Sequence, residues 1–341
     1  MQNIEDAFLQ CAIESAKVTW FLDLEAFRLD RQQLVNTTKG DPICRWSHSH
    51  LEALHVVELK DVSSLYPFPV DIGKVHGFWQ LSTEDITAIV WNDYHRDLEL
   101  NKTDDDAWKD AQNDILNSCE AHEAVKLLIM YNILYKYIVQ SYGQIDTHPF
   151  VTSDMCDLDR QYFAKAVCEF FLVESRKTTM CDMIWVEDSK PLEVSYYLGA
   201  LCHVKTDGMI LMENDNVNQL CAWIDVKPTS HSEKDDSVLY RSGIPNKAAI
   251  SLAIAQRRWC QAKGGDHTVF GVEFCGHYSA FWSTFYKHEY LHNVKNSSIL
   301  PADSHSFMKR SRVFDLIESI DRKEYARHFK GMLDYIASSN E

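Results

Sequence analysis

Two aspartates and a lysine in the second half of the chain have the types and spacing that metal-assisted hydrolysis requires. Asp207 is followed by Gly208, and the later tripeptide Asp225-Val226-Lys227 ends an apolar run. If that run is a strand, its period of two places Asp225 and Lys227 on one face and Val226 on the other. The pattern therefore predicts an anion and a cation side by side at a strand end.

Cleavage of a phosphodiester bond is the reaction that these side chains would suit. A hard divalent cation such as Mg²⁺ or Mn²⁺ takes oxygen ligands, neutralises the scissile phosphate and lowers the pKa of the attacking water. The carboxylates of Asp207 and Asp225 and the carbonyl of Val226 would supply the oxygens. Lys227 would stabilise the transition state as a point charge, and desolvation would lower its pKa enough to help deprotonate the water.

A hairpin and the helices around it must position these residues. The apolar runs 209–212 and 220–224 predict two strands, joined by a turn at the polar stretch 213–216. Residues 246–263 have the alanine content and apolar spacing of a helix. Two further strands are predicted at 267–274 and 279–285, and a helix at 161–177 precedes the whole set.

This order of elements, with Asp207 before one strand and Asp225-Val226-Lys227 on the next, resembles the PD-(D/E)XK nuclease superfamily over roughly residues 160–290. More narrowly, it is similar to the nuclease-like domains of fungal and oomycete crinkler-type proteins. The resemblance implies an α/β fold with a restriction-endonuclease-like αββαβ core, a mixed sheet flanked by helices. It also implies that Gln256, on the helix after Lys227, assists catalysis. Thr206 stands where the family name has Pro.

The superfamily resemblance further implies a glutamate near the start of the core as an additional metal ligand. Glu169 is the candidate, because it adjoins an apolar stripe of the helix at 161–177. Glu174 on the same helix and Glu193 in the following apolar segment are alternatives that spacing does not separate.

The charge of the chain limits how it would bind nucleic acid. A formal net charge of −16 argues against a protein that coats nucleic acid through bulk electrostatics. A basic groove confined to one part of the surface would reconcile the negative net charge with nucleic-acid binding. Arg257, Arg258 and Lys263 would supply that groove. The less specific alternative is that these three basic residues form a solvated helix face. DNA is the expected substrate ahead of RNA.

Length and composition predict more than one domain. The chain has 341 residues, 45% of them hydrophobic, with 12 Gly and 8 Pro, so it can bury a sizeable core. We expect a mainly helical amino-terminal domain of unknown role over residues 1–150, the nuclease-like core over 155–290 and a helical carboxy-terminal segment over 291–341.

The cysteines and the apolar segments indicate the compartment. Ten scattered cysteines without a Cys-x-x-Cys pair disfavour a zinc site or a disulfide framework. The amino terminus lacks a basic region followed by an apolar stretch, and the longest apolar run, 124–139, is too short and too polar to span a bilayer. We expect an intracellular protein in a reducing compartment, without membrane association. The sequence leaves both a nuclear location and homodimerisation undecided.

Each of these assignments has a less specific alternative. Asp207-Gly208 is also a common turn dipeptide, and Asp225 with Lys227 is also a solvated charge pair of little energetic value. Three hypotheses follow from the sequence. The first is an active nuclease; the second is a catalytically inactive nuclease-fold binding module, such as an effector or accessory subunit; the third is an α/β interaction protein with no nuclease core.

Overall fold

A computed structural model describes residues 51, 54–59, 157–179, 183–186, 192–196, 200–213, 218–227, 243–297, 300–301 and 303–338. Most of the predicted amino-terminal domain, with the apolar run 124–139, lies outside these residues, and so does most of the predicted turn at 213–216.

Four helices separate groups of strands along the described chain. The strands are β1 (Val56–Leu59), β2 (Met183–Val186), β3 (Leu192–Tyr196), β4 (Ala200–Val204), β5 (Gly208–Met212), β6 (Gln219–Lys227), β7 (His267–Cys275), β8 (Tyr278–Tyr286), β9 (Ser306–Arg310) and β10 (Phe314–Asp315). The helices are α1 (Asp157–Thr179), α2 (Ile244–Gln261), α3 (His288–Asn296) and α4 (Ser319–Ser338).

Most of these strands form one mixed sheet. Its order is β1-β9-β8-β7-β6-β5-β2, with β10 paired to β8, while β3 and β4 form a separate hairpin. The pairs β1–β9 and β6–β7 are parallel, and the other pairs in the sheet are antiparallel. Because β6 and β7 are parallel, a crossover connection must join them, and α2 lies within that connection. The expected α/β fold with a mixed sheet is confirmed.

Helices cover both faces of the sheet. On one face α1 and α4 pack against Ile224, Phe274 and Phe281. On the other face α2 and α3 pack against Trp223, Val269 and Trp282, and apolar residues of the β3–β4 hairpin belong to the same core cluster. The alternation of side chains along a strand places Asp225 and Lys227 on the α2 face, since Trp223 lies there.

Two glycines bring aromatic side chains close to the backbone of the sheet. The indole of Trp223 lies over Gly271 of the adjacent strand β7, where a Cβ atom would come within 2.1 Å of the ring. Trp223 Nε1 donates to Ser251 Oγ of α2 at 2.9 Å. Trp185 covers Gly208 in the same manner. The indole of Trp223 thus fixes α2 against β6 and β7 close to Asp225.

Comparison with the expected elements shows agreement in the middle of the chain and differences at both ends. The hairpin strands β5 and β6, the helices α1 and α2, and the strands β7 and β8 all form where they were predicted. The segment 291–341, expected to be helical, also contributes β9 and β10 to the main sheet. Strand β1, within the predicted amino-terminal domain, joins that sheet by pairing with β9. These short strands are stabilised by pairing with distant residues, which local sequence patterns do not reveal.

No helix in the described part of the chain is long and apolar enough to cross a membrane.

Candidate active site

The carboxyl end of β6 brings together the three residues singled out for metal-assisted chemistry. Lys227 Nζ lies 2.8 Å from Asp225 Oδ2, so the two side chains share the α2 face as the strand period requires. Asp207 precedes β5, and its backbone N–H donates to the carbonyl of Ile224 at 3.1 Å, which extends the hairpin pairing by one residue. The hairpin thus carries all three charged groups.

A backbone hydrogen bond orients the Asp207 carboxylate. The N–H of Val226 donates to Asp207 Oδ2 at 2.7 Å. Backbone groups of alternate residues in a strand point the same way, so the carbonyl of Val226 points toward the β5 side, as the Ile224 carbonyl does. The Val226 carbonyl and the Asp207 carboxylate therefore lie on the same side of β6.

Asp207 occupies an environment that disfavours its negative charge. Burial raises the pKa of Asp207, the Val226 amide opposes this rise, and the neighbouring charge of Asp225 raises the pKa further. Asp225 is 6% exposed. Its Oδ2 atom is buried, and the Lys227 ammonium lies 2.8 Å from it. A cation ligated by both carboxylates would relieve this charge repulsion.

The pKa of Lys227 moves in the direction opposite to the one expected from desolvation alone. Burial lowers it, but the negative charge of Asp225, the hydrogen bond to that carboxylate and the charges of Glu273 and Asp207 together outweigh burial, so the pKa of Lys227 is raised. A raised pKa keeps the ammonium group charged at neutral pH. Lys227 is therefore suited to stabilise negative charge and not to accept a proton, which corrects the expectation of a lowered pKa.

The amino terminus of α2 lies beside Lys227. Gly243, at the N-cap position, has φ +114°, and a Cβ atom there would lie 3.7 Å from Lys227 Nζ. No side chain caps this end of the helix. The positive φ accounts for glycine at this position, while the 3.7 Å distance to Lys227 is an ordinary van der Waals contact.

Two charged residues that the sequence analysis did not single out lie next to this site. Glu273 is the register partner of Asp225 on β7. Lys247 of α2 is fully buried, and its Nζ lies 2.6 Å from Glu273 Oε1. Trp282 Nε1 donates to Glu273 Oε2 at 3.2 Å. The signal that would have found them is a charged residue within an apolar segment, because buried charges are paired as a rule.

Several predicted site residues lie at the other end of α2. Gln256 is buried nine residues after Lys247, which is about 13 to 14 Å along the helix axis. Arg258 donates to the carbonyl of Thr268 at 2.7 Å, near the start of β7 and about 16 Å along that strand from Glu273. Helix α2 thus places its amino terminus, and not Gln256, beside Asp225.

The three basic residues predicted to bind nucleic acid share that remote position. Arg257 and Lys263 are exposed, while Arg258 is partly buried against the start of β7. A site for the substrate backbone next to Asp225 would therefore have to use other groups.

The candidate glutamates lie on elements other than the β5–β6 hairpin. Glu169 lies on α1, which packs on the face of the sheet opposite to α2. Glu193 on β3 is exposed and pairs in register with His203 of β4. The side chain of Glu174 lies outside the described residues. Glu273 is instead the glutamate whose charge acts on Lys227.

The donor set at this site fits a hard divalent cation with few protein ligands. Within the described ranges no three His, Cys, Asp or Glu side chains converge closely enough to hold a metal ion. Asp207, Asp225 and the Val226 carbonyl are the oxygen donors that lie together, and the buried Asp225 Oδ2 already binds one cationic group, the Lys227 ammonium. Such sites are typical of Mg²⁺, which retains several water ligands.

No protein-family model and no curated protein matches the chain. The resemblance to the PD-(D/E)XK superfamily therefore depends on the residues and the order of the elements described above.

Proposed function

We propose that this protein is a metal-dependent nuclease with a restriction-endonuclease-like core, and that it hydrolyses phosphodiester bonds of DNA. The observation that carries the proposal is the convergence of Asp207, Asp225 and Lys227 at the end of β6, where the Val226 amide holds the Asp207 carboxylate and Asp225 is buried. Burial and the charge of Asp225 raise the pKa of Asp207, which means that the ionised carboxylate destabilises the fold. Stability therefore does not explain this arrangement.

The order of elements supports the same proposal. Helix α1 is followed by strands β2, β3 and β4, and then by the antiparallel hairpin β5–β6, the crossover helix α2 and the parallel strand β7. Apart from the three intervening strands, this order is compatible with the αββαβ core that the superfamily resemblance implies. The acidic residues lie before β5 and at the end of β6, where that order would place them.

Each side chain has a distinct role in the proposed reaction. A bound Mg²⁺ or Mn²⁺ supplies charge neutralisation at the phosphate and an acidified water. Asp207 and Asp225 would hold it, with the Val226 carbonyl as a further oxygen donor, and the Val226 amide keeps the Asp207 carboxylate in place. The Lys227 ammonium, already charged, donates to a phosphate oxygen whose negative charge grows in the transition state.

The second candidate function is a nuclease-fold module that binds partners without cleaving nucleic acid. The net charge of −16 favours it, because the negative surface disfavours bulk contact with nucleic acid. The ion pair between Lys227 and Asp225 also favours it, since it already satisfies part of the negative charge that would attract a cation.

Cleavage assays distinguish the two functions. Plasmid DNA, single-stranded DNA and RNA are incubated with Mg²⁺ or Mn²⁺ and wild-type protein, with Asp225→Asn, or with Lys227→Met. Arg312→Gln is the matched control, because it removes an ion pair with Asp321 and Glu324 on a different part of the molecule.

The nuclease proposal expects metal-dependent cutting by the wild type and the Arg312→Gln control, and a loss of at least about 100-fold in the two site variants. Circular dichroism must show all four proteins folded. Failure of folded wild type to cut any of the substrates, together with no Mn²⁺ binding in calorimetry, would favour the binding module.

A further inference from the structure

A cavity of about 520 Å³ opens between α3 and the segment that precedes β9, and we call it the α3 cavity. Its volume is within the range of sites for small molecules, roughly 300–1,000 Å³. Three imidazoles line it, those of His288, His292 and His305, together with Asn293 and Ser304. The cavity thus has the size of a ligand site and a mainly polar lining.

Hydrogen bonds to residues 54–55 fix both walls of the α3 cavity. On the side of the segment, the carbonyl of Ser304 accepts from His55 Nδ1 at 2.9 Å, and the N–H of Ser306 donates to the His55 carbonyl at 3.1 Å. On the side of α3, the hydroxyl of Tyr290 donates to the carbonyl of Leu54 at 2.6 Å. The cavity is therefore formed by the fold itself, before any ligand binds.

The hydrogen-bond partners of His288 fix its tautomer. The indole N–H of Trp259 donates to His288 Nδ1 at 2.8 Å, and the backbone N–H of Gly265 donates to the same atom at 3.2 Å. An atom that accepts these bonds carries no proton, so the neutral ring has its proton on Nε2. Trp259 and Gly265 do not line the cavity, so the Nδ1 edge of the ring faces away from it. His288 therefore presents its Nε2–H to the cavity.

The same tautomer argues against a metal ion as the ligand. A metal binds an unprotonated imidazole nitrogen, and that nitrogen of His288 is occupied by two N–H donors. No three His, Cys, Asp or Glu side chains within the described ranges converge closely enough to hold a metal ion. A ligand that contacts several of the imidazoles must therefore be larger than an ion.

The charges of the lining disfavour a simple anion and an apolar molecule. Among the described residues of the lining, the ammonium group of Lys287 is accompanied by the carboxylates of Glu289 and Asp303. An isolated phosphate would meet those two carboxylates. An apolar molecule would leave the polar groups of the lining without hydrogen-bond partners. A polar molecule with both donors and acceptors suits this lining best.

The planar rings of the lining narrow the class of ligand to a nucleobase. Unpaired bases stack on flat side chains, histidine included, and form hydrogen bonds through their edges. Those edges carry acceptors for the His288 Nε2–H and amino donors for the carboxylates. Behind the lining, the ring of Trp259 lies 5.6 Å from that of His288 and 6.4 Å from that of His292. Trp259 thus packs against both imidazoles of α3.

We propose that the α3 cavity binds a single nucleobase, with the His288 Nε2–H donating to an acceptor on the edge of the base. The base belongs either to a free nucleotide or to an unpaired position of a nucleic-acid strand. Strand β8 ends at Tyr286, just before α3, and Tyr286 pairs with His267 at the start of β7, whereas Lys227 pairs with Cys275 at its end. The cavity is therefore about 26 Å along β7 from Lys227 and is separate from the proposed catalytic residues.

Two substitutions of His288 separate the roles of its two nitrogens. His288→Asn keeps an oxygen near the Nδ1 position that accepts from Trp259 and Gly265, but it lacks the Nε2–H. His288→Gln keeps an N–H near the Nε2 position but lacks the Nδ1 acceptor. Asn293→Ala removes an amide from the lining and preserves a good helix former in α3, so it tests the cavity if His288→Asn does not fold.

Binding is measured without divalent cations, so that cleavage plays no part. Calorimetry with adenosine, cytidine, ribose and inorganic phosphate tests the class of ligand. Fluorescence anisotropy with a short single-stranded oligonucleotide and its duplex tests whether the base comes from a strand. The ¹H–¹⁵N resonance of the Trp259 indole, assigned with Trp259→Phe, reports whether the acceptor at residue 288 is retained.

The proposal expects saturable binding of a nucleoside, with ribose and phosphate much weaker. His288→Asn should weaken nucleoside binding at least about tenfold while the melting temperature and the Trp259 indole resonance stay close to wild type. His288→Gln should show the reverse pattern, with a lower melting temperature and a smaller loss of affinity. Asn293→Ala should weaken binding about fivefold.

Three results would overturn the proposal: no nucleoside binding by the folded wild type, phosphate or ribose binding as tight as nucleoside binding, or unchanged affinity in both His288→Asn and Asn293→Ala. Binding of nucleosides and of the single strand supports an unpaired strand position as the source, and binding of nucleosides alone supports a free nucleotide. Because none of these measurements involves cleavage, this proposal and the nuclease proposal stand or fall separately.

Discussion

The backbone amide of Val226 donates a 2.7 Å hydrogen bond to Asp207 Oδ2. Asp207 precedes one strand of the hairpin, and Val226 lies between the two charged residues of the next strand. The hydrogen bond therefore couples the Asp207 carboxylate to the register of β5 and β6, so that the carboxylate is placed by the backbone and not by a flexible side-chain contact.

Asp207→Asn separates the charge of this residue from its structural hydrogen bond. Asparagine retains an oxygen that accepts from Val226, but it lacks the charge that a divalent cation requires. We expect Mn²⁺ affinity to fall at least about tenfold and DNA cleavage at least about 100-fold. Because burial raises the pKa of Asp207, the ionised carboxylate destabilises the fold at neutral pH, and the melting temperature of Asp207→Asn should be equal to or above that of wild type.

Asp207→Ala is the control for this prediction, because it also removes the acceptor of the Val226 amide. Differential scanning calorimetry should show it less stable than Asp207→Asn by about 1 kcal/mol. An asparagine variant that binds Mn²⁺ as tightly as wild type would exclude Asp207 from the metal site.

Lys227→Met tests whether the lysine competes with a cation for Asp225. The ammonium lies 2.8 Å from Asp225 Oδ2, and a bound cation requires the same oxygen. We therefore expect the affinity for Mn²⁺ to be retained or increased while cleavage falls about 100-fold, because a transition-state donor is lost. Calorimetry and single-turnover cleavage measure the two effects. Lys295→Met, which alters a lysine of α3 near Trp259, serves as the control.

A parallel loss of Mn²⁺ binding and cleavage in Lys227→Met would contradict this prediction. It would indicate that Lys227 holds the two aspartates in place and does not act on the substrate.

The three proposed catalytic residues were predictable because their arrangement is local. Asp207, Asp225 and Lys227 belong to one hairpin, where the period of two and the pairing of adjacent strands decide which side chains meet. A charge in an otherwise apolar run is visible in the sequence, and so is the helix that follows.

Residues brought together by the crossover were not predictable from spacing. The contact of Lys247 with Glu273 depends on the parallel register of β6 and β7 and on how far α2 extends along them. The same geometry separates Gln256 from Asp225. Gln256 lies on α2, as Lys247 does, but the axial rise of the helix moves it away from the site. Strand β9 was missed for a related reason, since its short polar sequence pairs with β8 only in the folded chain.

Gly271→Ala tests the close packing of Trp223 on β7. A Cβ atom at this position would lie 2.1 Å from Trp223 Cε2, and the indole cannot move freely because its N–H bonds Ser251. We expect the free energy of unfolding to fall by about 3 kcal/mol, as for other overpacked sites. Urea denaturation followed by tryptophan fluorescence measures the change.

Trp223→Leu/Gly271→Ala provides the coupling control for this packing. The smaller side chain makes room for the new methyl group, so the double variant should be more stable than the sum of the single changes predicts. Additive effects would show that the clash between the indole and the methyl group is relieved in some other way.

Asp315→Asn should stabilise the protein at neutral pH and not in acid. Burial raises the pKa of Asp315 from 3.8 to about 6, and the Ile317 amide only partly opposes the rise. His277 Nε2 lies 3.8 Å from Asp315 Oδ1 but brings no compensating charge, because burial lowers the pKa of His277 to about 4.

A raised carboxyl pKa means that the folded state binds a proton more tightly than the unfolded state does. The penalty from Asp315 is therefore absent below about pH 4, grows as the pH rises through about 6 and is complete at pH 7. Because this side chain is 30% exposed, we expect a gain of about 1 kcal/mol for Asp315→Asn at pH 7 and none at pH 4. Thermal unfolding at the two pH values measures it. Asp303→Asn, at an exposed position, should show no gain at pH 7, and an equal gain for Asp315→Asn at both pH values would refute the electrostatic origin.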